Sequence, residues 1–216
     1  MKSFAVVLTL MMVIGLSGIS SAQSTDKSAK IPPPSSQSAI TFRLALRELW
    51  QYQVTWMRSY IVSTLADLED RDIVKDKLIK NQEKIGNAVK PYYGIIAGRR
   101  LASLLREHIL IAIEIVRAKK EKDGQALKEA REKGRQYAER ISNLFGRVKS
   151  PVWDKEHLQE MFYKHLEYID RQVDFRLQKE WMSEIKAYDD GLAHVLWLSD
   201  VLAESIVRQF PDKFKQ

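Results

Sequence analysis

From Ile40 onward the apolar residues of this chain return every three or four positions, and nothing else in the sequence narrows its possible folds as far. Leu46, Trp50, Val54, Met57, Ile61, Leu65 and Leu68 fall on one face of an α-helix over residues 39–68. No stretch alternates in the manner of a half-buried strand. Cysteine is absent, so no disulfide can stand in for a core. The chain must hold together by burying these stripes against one another.

The same reading carries through to the C-terminus. "LEDRD" turns the chain into a shorter helix over 71–85, with Gly86 as its left-handed cap, and Pro91 and Gly94 in "KPYYG" bound the next loop. A third helix over 95–121 sets Leu101, Leu104, Leu105, His108, Ile111, Ala112 and Ile115 on one face. Asp123-Gly124 makes a turn, and a fourth helix to Arg147 has the seam Leu127, Ala130, Gly134, Tyr137, Ile141 and Leu144, whose small residues permit close approach. On its surface Glu129 and Lys133 form a pair four apart. "SPVWD" breaks that helix, with Asp154 as N-cap of the next. From there to Phe210 there is no proline, yet one helix of about 56 residues would run roughly 84 Å, against a radius of gyration near 16 Å for a domain of this size, roughly. The chain must fold back, and Leu177 to Glu180 divides it evenly. Leu158, Phe162, Leu166, Ile169 and Val173 then line the first piece, and Met182, Ile185, Leu192, Val195, Leu202 and Ile206 the second. The expected fold is all-α: one antiparallel bundle of about five long helices plus a short one, over residues 39–216.

The N-terminus reads differently. Residues 1–22 join Lys2, an apolar run from Phe4 to Ile14, and Ser20 and Ala22 placed for cleavage before Gln23, which is the pattern of an export signal. The run is shorter than the roughly 20 residues of a bilayer span, so no stable transmembrane span is expected after cleavage. Residues 23–38, "QSTDKSAKIPPPSSQS", have little to bury and read as a disordered Pro/Ser-rich tether. The net charge of +7 mixes both signs, as in "KKEKDGQALKEAREKGRQ". That is a solvated helix face, and nucleic acid is not an expected partner of an exported chain.

Familiar chemistry is missing. The seven glycines after the signal are scattered singly, so no phosphate-binding loop forms, and there is neither a thiol nor a G-x-S-x-G turn. Trp50, Tyr52, Trp56 and Tyr60 continue a helical stripe and read as core. His157 and His194, beside Lys155, Glu156, Asp189 and Asp190, read as surface or partly exposed. His108 and His165 differ, because each lies on or beside an apolar stripe. Inward imidazoles on facing helices can build a metal site. They can equally be neutral core residues hydrogen-bonded to Gln53, Gln172 or Glu107. Glu107 and Glu114, seven apart on one side of the helix, are expected to pair with Lys or Arg of a neighbour.

The segments "RELWQYQVTWMRSYIVS", "NAVKPYYG", "LLREHILIAIEIV", "FYKHLEYIDRQ" and "ESIVRQFP" occur in this order between Arg47 and Pro211. Together they resemble an uncharacterised family of bacterial all-helical proteins, some of which bear machine-assigned names such as acetylglutamate kinase or glycosyltransferase. Those enzyme names find no support in the residues, which show neither a nucleotide loop nor alternating strands. The resemblance implies a W-x-x-H-x-x-W-T-R pattern in the first helix, a histidine at the position of His108, and an H-L pair with glutamate seven residues after the histidine. Trp56, Arg58, His108 and His165 keep that pattern. Gln53 stands in place of its histidine and Gln172 in place of its glutamate, which weakens any shared metal site, since an amide offers only a neutral oxygen.

The expectation is therefore an exported, non-catalytic bundle that binds an envelope partner or small ligand without a cofactor. Its candidate polar cluster is Gln53, Arg58, Glu107 and Gln172. The alternative is a divalent transition metal held by His108 and His165. If residues 1–22 direct export, N-terminal sequencing of the protein recovered from a bacterial periplasm or medium should read Gln23 first. A recovered chain still beginning at Met1 would refute it.

Overall fold

The structure, a computed structural model, describes residues 36–145 and 155–215. These form five α-helices: α1 (Gln37–Leu65), α2 (Arg71–Glu121), α3 (Gly124–Phe145), α4 (Lys155–Leu177) and α5 (Trp181–Gln209). A 3-10 turn, Pro211–Phe214, follows. No strand occurs among the described residues. The export signal, most of the tether, Asp154 and Arg147 lie outside them.

Local chemistry sets the helix ends. Ser36 is extended and its hydroxyl accepts the Ala39 N–H at 3.2 Å, so α1 starts at Gln37, inside the stretch read as tether. Its helix stops at Leu65, and Leu68 is an exposed turn residue. Lys122 takes the left-handed conformation (φ 57°) and the Asp123 N–H reaches back to the Ala118 carbonyl at 2.9 Å, closing α2. The Asp123 carboxylate then accepts the Ala126 N–H at 2.9 Å and opens α3. Lys179 (φ 61°) and the Glu180 N–H to the Phe175 carbonyl (2.8 Å) end α4 in the same way. The fold-back expected at Leu177 to Glu180 is there.

α2 departs from expectation at its glycines. Gly86 caps nothing; the helix continues past it and through Pro91, and breaks at Gly94 (φ 83°, ψ 171°), a conformation closed to residues with a Cβ. The break is a reversal. Gly86 and Gly98 are twelve residues apart, about 18 Å along a straight helix, yet a Cβ built on Gly86 would stand 2.5 Å from the Gly98 carbonyl oxygen and 2.7 Å from the Ala102 Cβ. Residues 71–93 and 95–121 are thus the two arms of a tight αα-hairpin, and Gly86 is glycine because the other arm leaves no room.

The helices close into a ring: α1 packs on α2 and α5, α2 on α3, α3 on α4 and α4 on α5, with α2 also touching α4. One core fills it, with Trp50, Tyr60, Tyr137, Phe162 and Leu105 fully enclosed. Tyr52 is exposed, unlike the rest of the aromatic stripe. Met182 and Ile185 are also exposed, and Glu184 faces inward in their place.

Three glycine substitutions separate these effects in urea melts. Gly86→Ala should cost about 1–3 kcal/mol by overpacking, and Gly94→Ala about 1–3 kcal/mol by backbone strain although nothing lies within 4 Å of its new Cβ. Gly124→Ala, also with open space around it, should be neutral or slightly stabilising. Equal midpoints for all three would contradict the hairpin.

Candidate functional site

The apolar stripes carry three histidines into one interior row. His108 on α2 and His165 on α4 have ring centroids 5.3 Å apart with planes inclined by 26°, and His194 on α5 continues the row 6.5 Å beyond His165. Tyr137 on α3 lies 4.9 Å from His108, and Phe162 closes the aromatic contact from α4 at 6.2 Å. His194 is partly exposed, within the range its charged flanks suggested, and its Nε2–H donates to the Met161 carbonyl at 3.0 Å. His157 stays half-buried against the Trp197 ring.

Water exclusion sets the charge state of this row. Burial pushes His108 from its ordinary 6.5 down to about 3. His165 is driven well below its usual range by burial, with smaller contributions from His108 and His194. His194 is lowered by burial against the opposing pull of the Met161 carbonyl. All three rings are neutral at ordinary pH, each with one N–H and one acceptor nitrogen.

Gln53 and Gln172 are buried as well. Gln172 faces α5, its Nε2 3.8 Å from where a Cβ of Gly191 would stand. Of the buried polar atoms without a hydrogen-bonding partner among the described residues, seven belong to these residues: both nitrogens of His108, Nδ1 of His165, both amide atoms of Gln53, Oε1 of Gln172 and the Tyr137 hydroxyl. The amides thus do not satisfy the imidazoles as expected. As a metal centre the set is poor. Catalytic zinc sites generally use three protein ligands, and no group of three or more His, Asp or Glu side chains is placed to hold a metal among the described residues.

The remaining members of the expected cluster lie elsewhere. Arg58 makes a two-pronged bond to Glu184 on α5 (3.1 and 3.0 Å) and stacks over Tyr188, with Arg176 at 3.7 Å from the same carboxylate. Glu107 pairs with Arg140, and Glu114 with Lys133 at 2.8 Å, so both glutamates find the cationic neighbour expected of them. Lys133 thereby makes its bond to α2 and not to Glu129. Buried acids were not foreseen: Glu184 is 2% exposed, and Asp200 accepts from Arg43 (2.8 and 2.7 Å) and Arg47 (2.5 Å). Burial pushes Asp200 up, but the two guanidiniums outweigh it and hold it below the ordinary carboxylate range. The visible signal was their place inside apolar runs, Asp200 between Leu198 and Val201.

A half-open, mostly apolar cavity of about 480 Å³ lies between α1, both arms of α2, the end of α3 and α5. Trp50, Ile85, Leu101, Phe145, Leu202 and Ile206 make its apolar wall, while Tyr93, Arg100, Ser205 and Gln209 contribute polar groups. No periodicity argument reveals it, because its walls are the stripes themselves, held slightly apart.

Fold and site define the class: an all-α helical bundle with a neutral polar interior layer and one large apolar cavity among its described residues. No protein-family model, curated protein or solved structure matches the chain.

Two measurements follow. Between pH 6.5 and about 3 the unfolded chain protonates rings that the folded chain keeps neutral, so this part of the stability is complete above 6.5 and is lost as the pH falls. His108→Phe should flatten the decline by about 1.4 kcal/mol per pH unit between about pH 6 and 4; an unchanged slope would place the ring in water. Arg58→Ala, which leaves the Glu184 charge only the longer contact to Arg176, should cost about 2–3 kcal/mol, and Glu184→Gln only about 1 kcal/mol, because the part-exposed Arg58 can rehydrate. The reverse order in chemical melts would overturn the pairing.

Proposed function

We propose that this chain is an exported, non-catalytic helical bundle that binds a small apolar ligand in the cavity beside the α2 hairpin. One observation carries the reading: a concavity of about 480 Å³ bounded almost wholly by apolar side chains and open to solvent on one side. That lies within the roughly 300–1,000 Å³ range of small-molecule sites. Apolar ligand surface entering it would gain about 25 cal/mol per Å² removed from water. No reaction is assigned, since no nucleophile with an adjacent base lines the cavity.

The neutral fluorescent probe N-phenylnaphthylamine should bind the purified protein with blue-shifted emission. Ala97→Trp, which places an indole in the cavity wall, should weaken that binding at least about tenfold, the equivalent of 1.4 kcal/mol, while leaving the helical circular dichroism intact. Probe binding unaffected by Ala97→Trp would move the site elsewhere.

A second reading is favoured by the seven unpartnered polar atoms of the interior. Each would cost about 1–3 kcal/mol if left unsatisfied, which together rivals the whole stability of a domain, about 5–15 kcal/mol. A polar guest is therefore favoured there. The resemblance makes a divalent transition metal on His108 and His165 one such guest, although Gln53 and Gln172, where it implies histidine and glutamate, leave this chain a poorer ligand set. Metal analysis of the purified protein decides it: stoichiometric metal, lost in both His108→Ala and His165→Ala, would establish this reading, and metal-free native protein would leave ordered water as the guest.

A further inference from the structure

The cavity's polar groups carry a chemical preference. Arg100 is the only charged residue in its lining; no Asp or Glu lines it. Most other arginines near the core are committed: Arg43 and Arg47 to Asp200, Arg58 to Glu184, Arg131 to Asp170, Arg140 to Glu107. Arg100 makes no ion pair among the described residues. Gln209 accepts the Tyr93 hydroxyl at 2.5 Å through its Oε1, which leaves its amide nitrogen, a donor only, as the free end. Trp50, 1% exposed in the same wall, has an indole N–H that meets no acceptor. The uncommitted groups within reach of a guest are thus a guanidinium and an amide NH₂, both donors, while the indole N–H is itself sealed from solvent.

Shape points the same way. Ile85, Val89 and Tyr93 line one arm of the hairpin over eight residues, about 12 Å of helix, and Leu202 to Gln209 run alongside over about 10 Å. The cavity is a trough along the helix axes, with Tyr93 and Gln209 at the hairpin end and Arg100 at its rim about level with Ile85, since Gly86 stands against Gly98 and Ala102 of the other arm. Beside it Ile96 is 85% exposed, an apolar entry at the turn.

From these observations we infer that the ligand is a single-chain amphiphile: an acyl chain lying in the trough and an anionic, acceptor-only head, of the carboxylate class, meeting Arg100. This rests on the cavity being the ligand site. Arg suits such a head because its fork presents two parallel N–H donors to two oxygens. A neutral hydroxyl would use one donor, and an ammonium head would be repelled.

The test displaces N-phenylnaphthylamine from the purified protein with decanoic acid, decanol and decylamine, whose chains match the length of the trough, each below its aggregation concentration, at low and high salt. The acid should displace the probe at a concentration at least tenfold lower than the alcohol, and the amine should be weakest. Arg100→Gln should bring acid and alcohol within about twofold of each other without changing the alcohol, and Arg100→Lys should keep part of the preference. Because Arg100 is solvent-exposed, high salt should narrow the gap. Equal displacement by all three, or an acid preference that survives Arg100→Gln, overturns the head-group assignment while the cavity reading stands. Probe binding with no displacement by any chain overturns the acyl class. Absence of probe binding defeats the cavity reading itself.

Discussion

The reversal at Gly94 is the constraint on which the rest of this structure depends. Without a residue able to take φ 83° with ψ 171° there, α2 would be a rod of 51 residues, about 77 Å long, and no ring of helices could close on it. With the reversal, Gly86 and Gly98 bring the two arms to backbone contact at one edge. Ile85, Val89, Leu101 and Leu105 are thereby delivered to a common interior. Both walls of the cavity on this side descend from that turn, and so does the inward direction of His108, seven residues beyond Leu101 on the same face.

Charge is treated in two ways inside the ring. Charged side chains that reach the interior are tied across helices: Glu184 to Arg58 from α5 to α1, Asp200 to Arg43 and Arg47 between the same helices, and Lys119 to Asp170 and Asp174 from α2 to α4. Such pairs add little net stability over apolar packing, because desolvation consumes most of the attraction. Their consequence is register, since α5 cannot slide on α1 by a turn without stranding both Glu184 and Asp200. The imidazoles have no such partners, and burial removes their charge instead. The interior therefore contains fixed ionic ties near its surface and an uncharged polar layer at its centre.

How much of this was legible in the sequence follows from the length scale of each feature. Stripes of seven or more apolar residues report on a whole helix face, so the helices, the break at Leu177 to Glu180 and the inward rings of His108 and His165 could be read directly. Glycine is ambiguous: Gly86 and Gly94 look alike in sequence, one needed for close contact and the other for positive φ, and only the partner arm distinguishes them. Met182 and Ile185 were placed on the inward stripe where Glu184 stands instead, and the ring row reached by the part-exposed His194 was not foreseen. On a helix, adjacent residues point about 100° apart, and a charged flank says little about the residue beside it. Gln53 and Gln172 were correctly placed in the interior, but amides at the expected depth did not meet the rings, because partner choice depends on distances between helices that no single stripe encodes.

The cavity and the imidazole layer are neighbours along one axis, and that arrangement bears on what each can do. Phe145 stands in the cavity wall and packs against Phe162 at 6.0 Å; Phe162 in turn contacts Tyr137 at 6.3 Å and His108 at 6.2 Å. On α2, Leu101 in the wall and His108 in the layer are two turns apart, about 10 Å. An apolar chain that entered by the hairpin would therefore meet an aromatic floor, and beneath it polar atoms that hydrocarbon cannot satisfy. Extending one more methylene into that layer would forfeit the roughly 0.8 kcal/mol each buried methylene otherwise gains. It would also displace whatever satisfies His108, at about 1–3 kcal/mol for each group left unpaired. The penalty exceeds the gain, so the polar layer limits the depth of the trough. The same rings that cannot hold charge at ordinary pH would then set the length of any chain lodged in the trough.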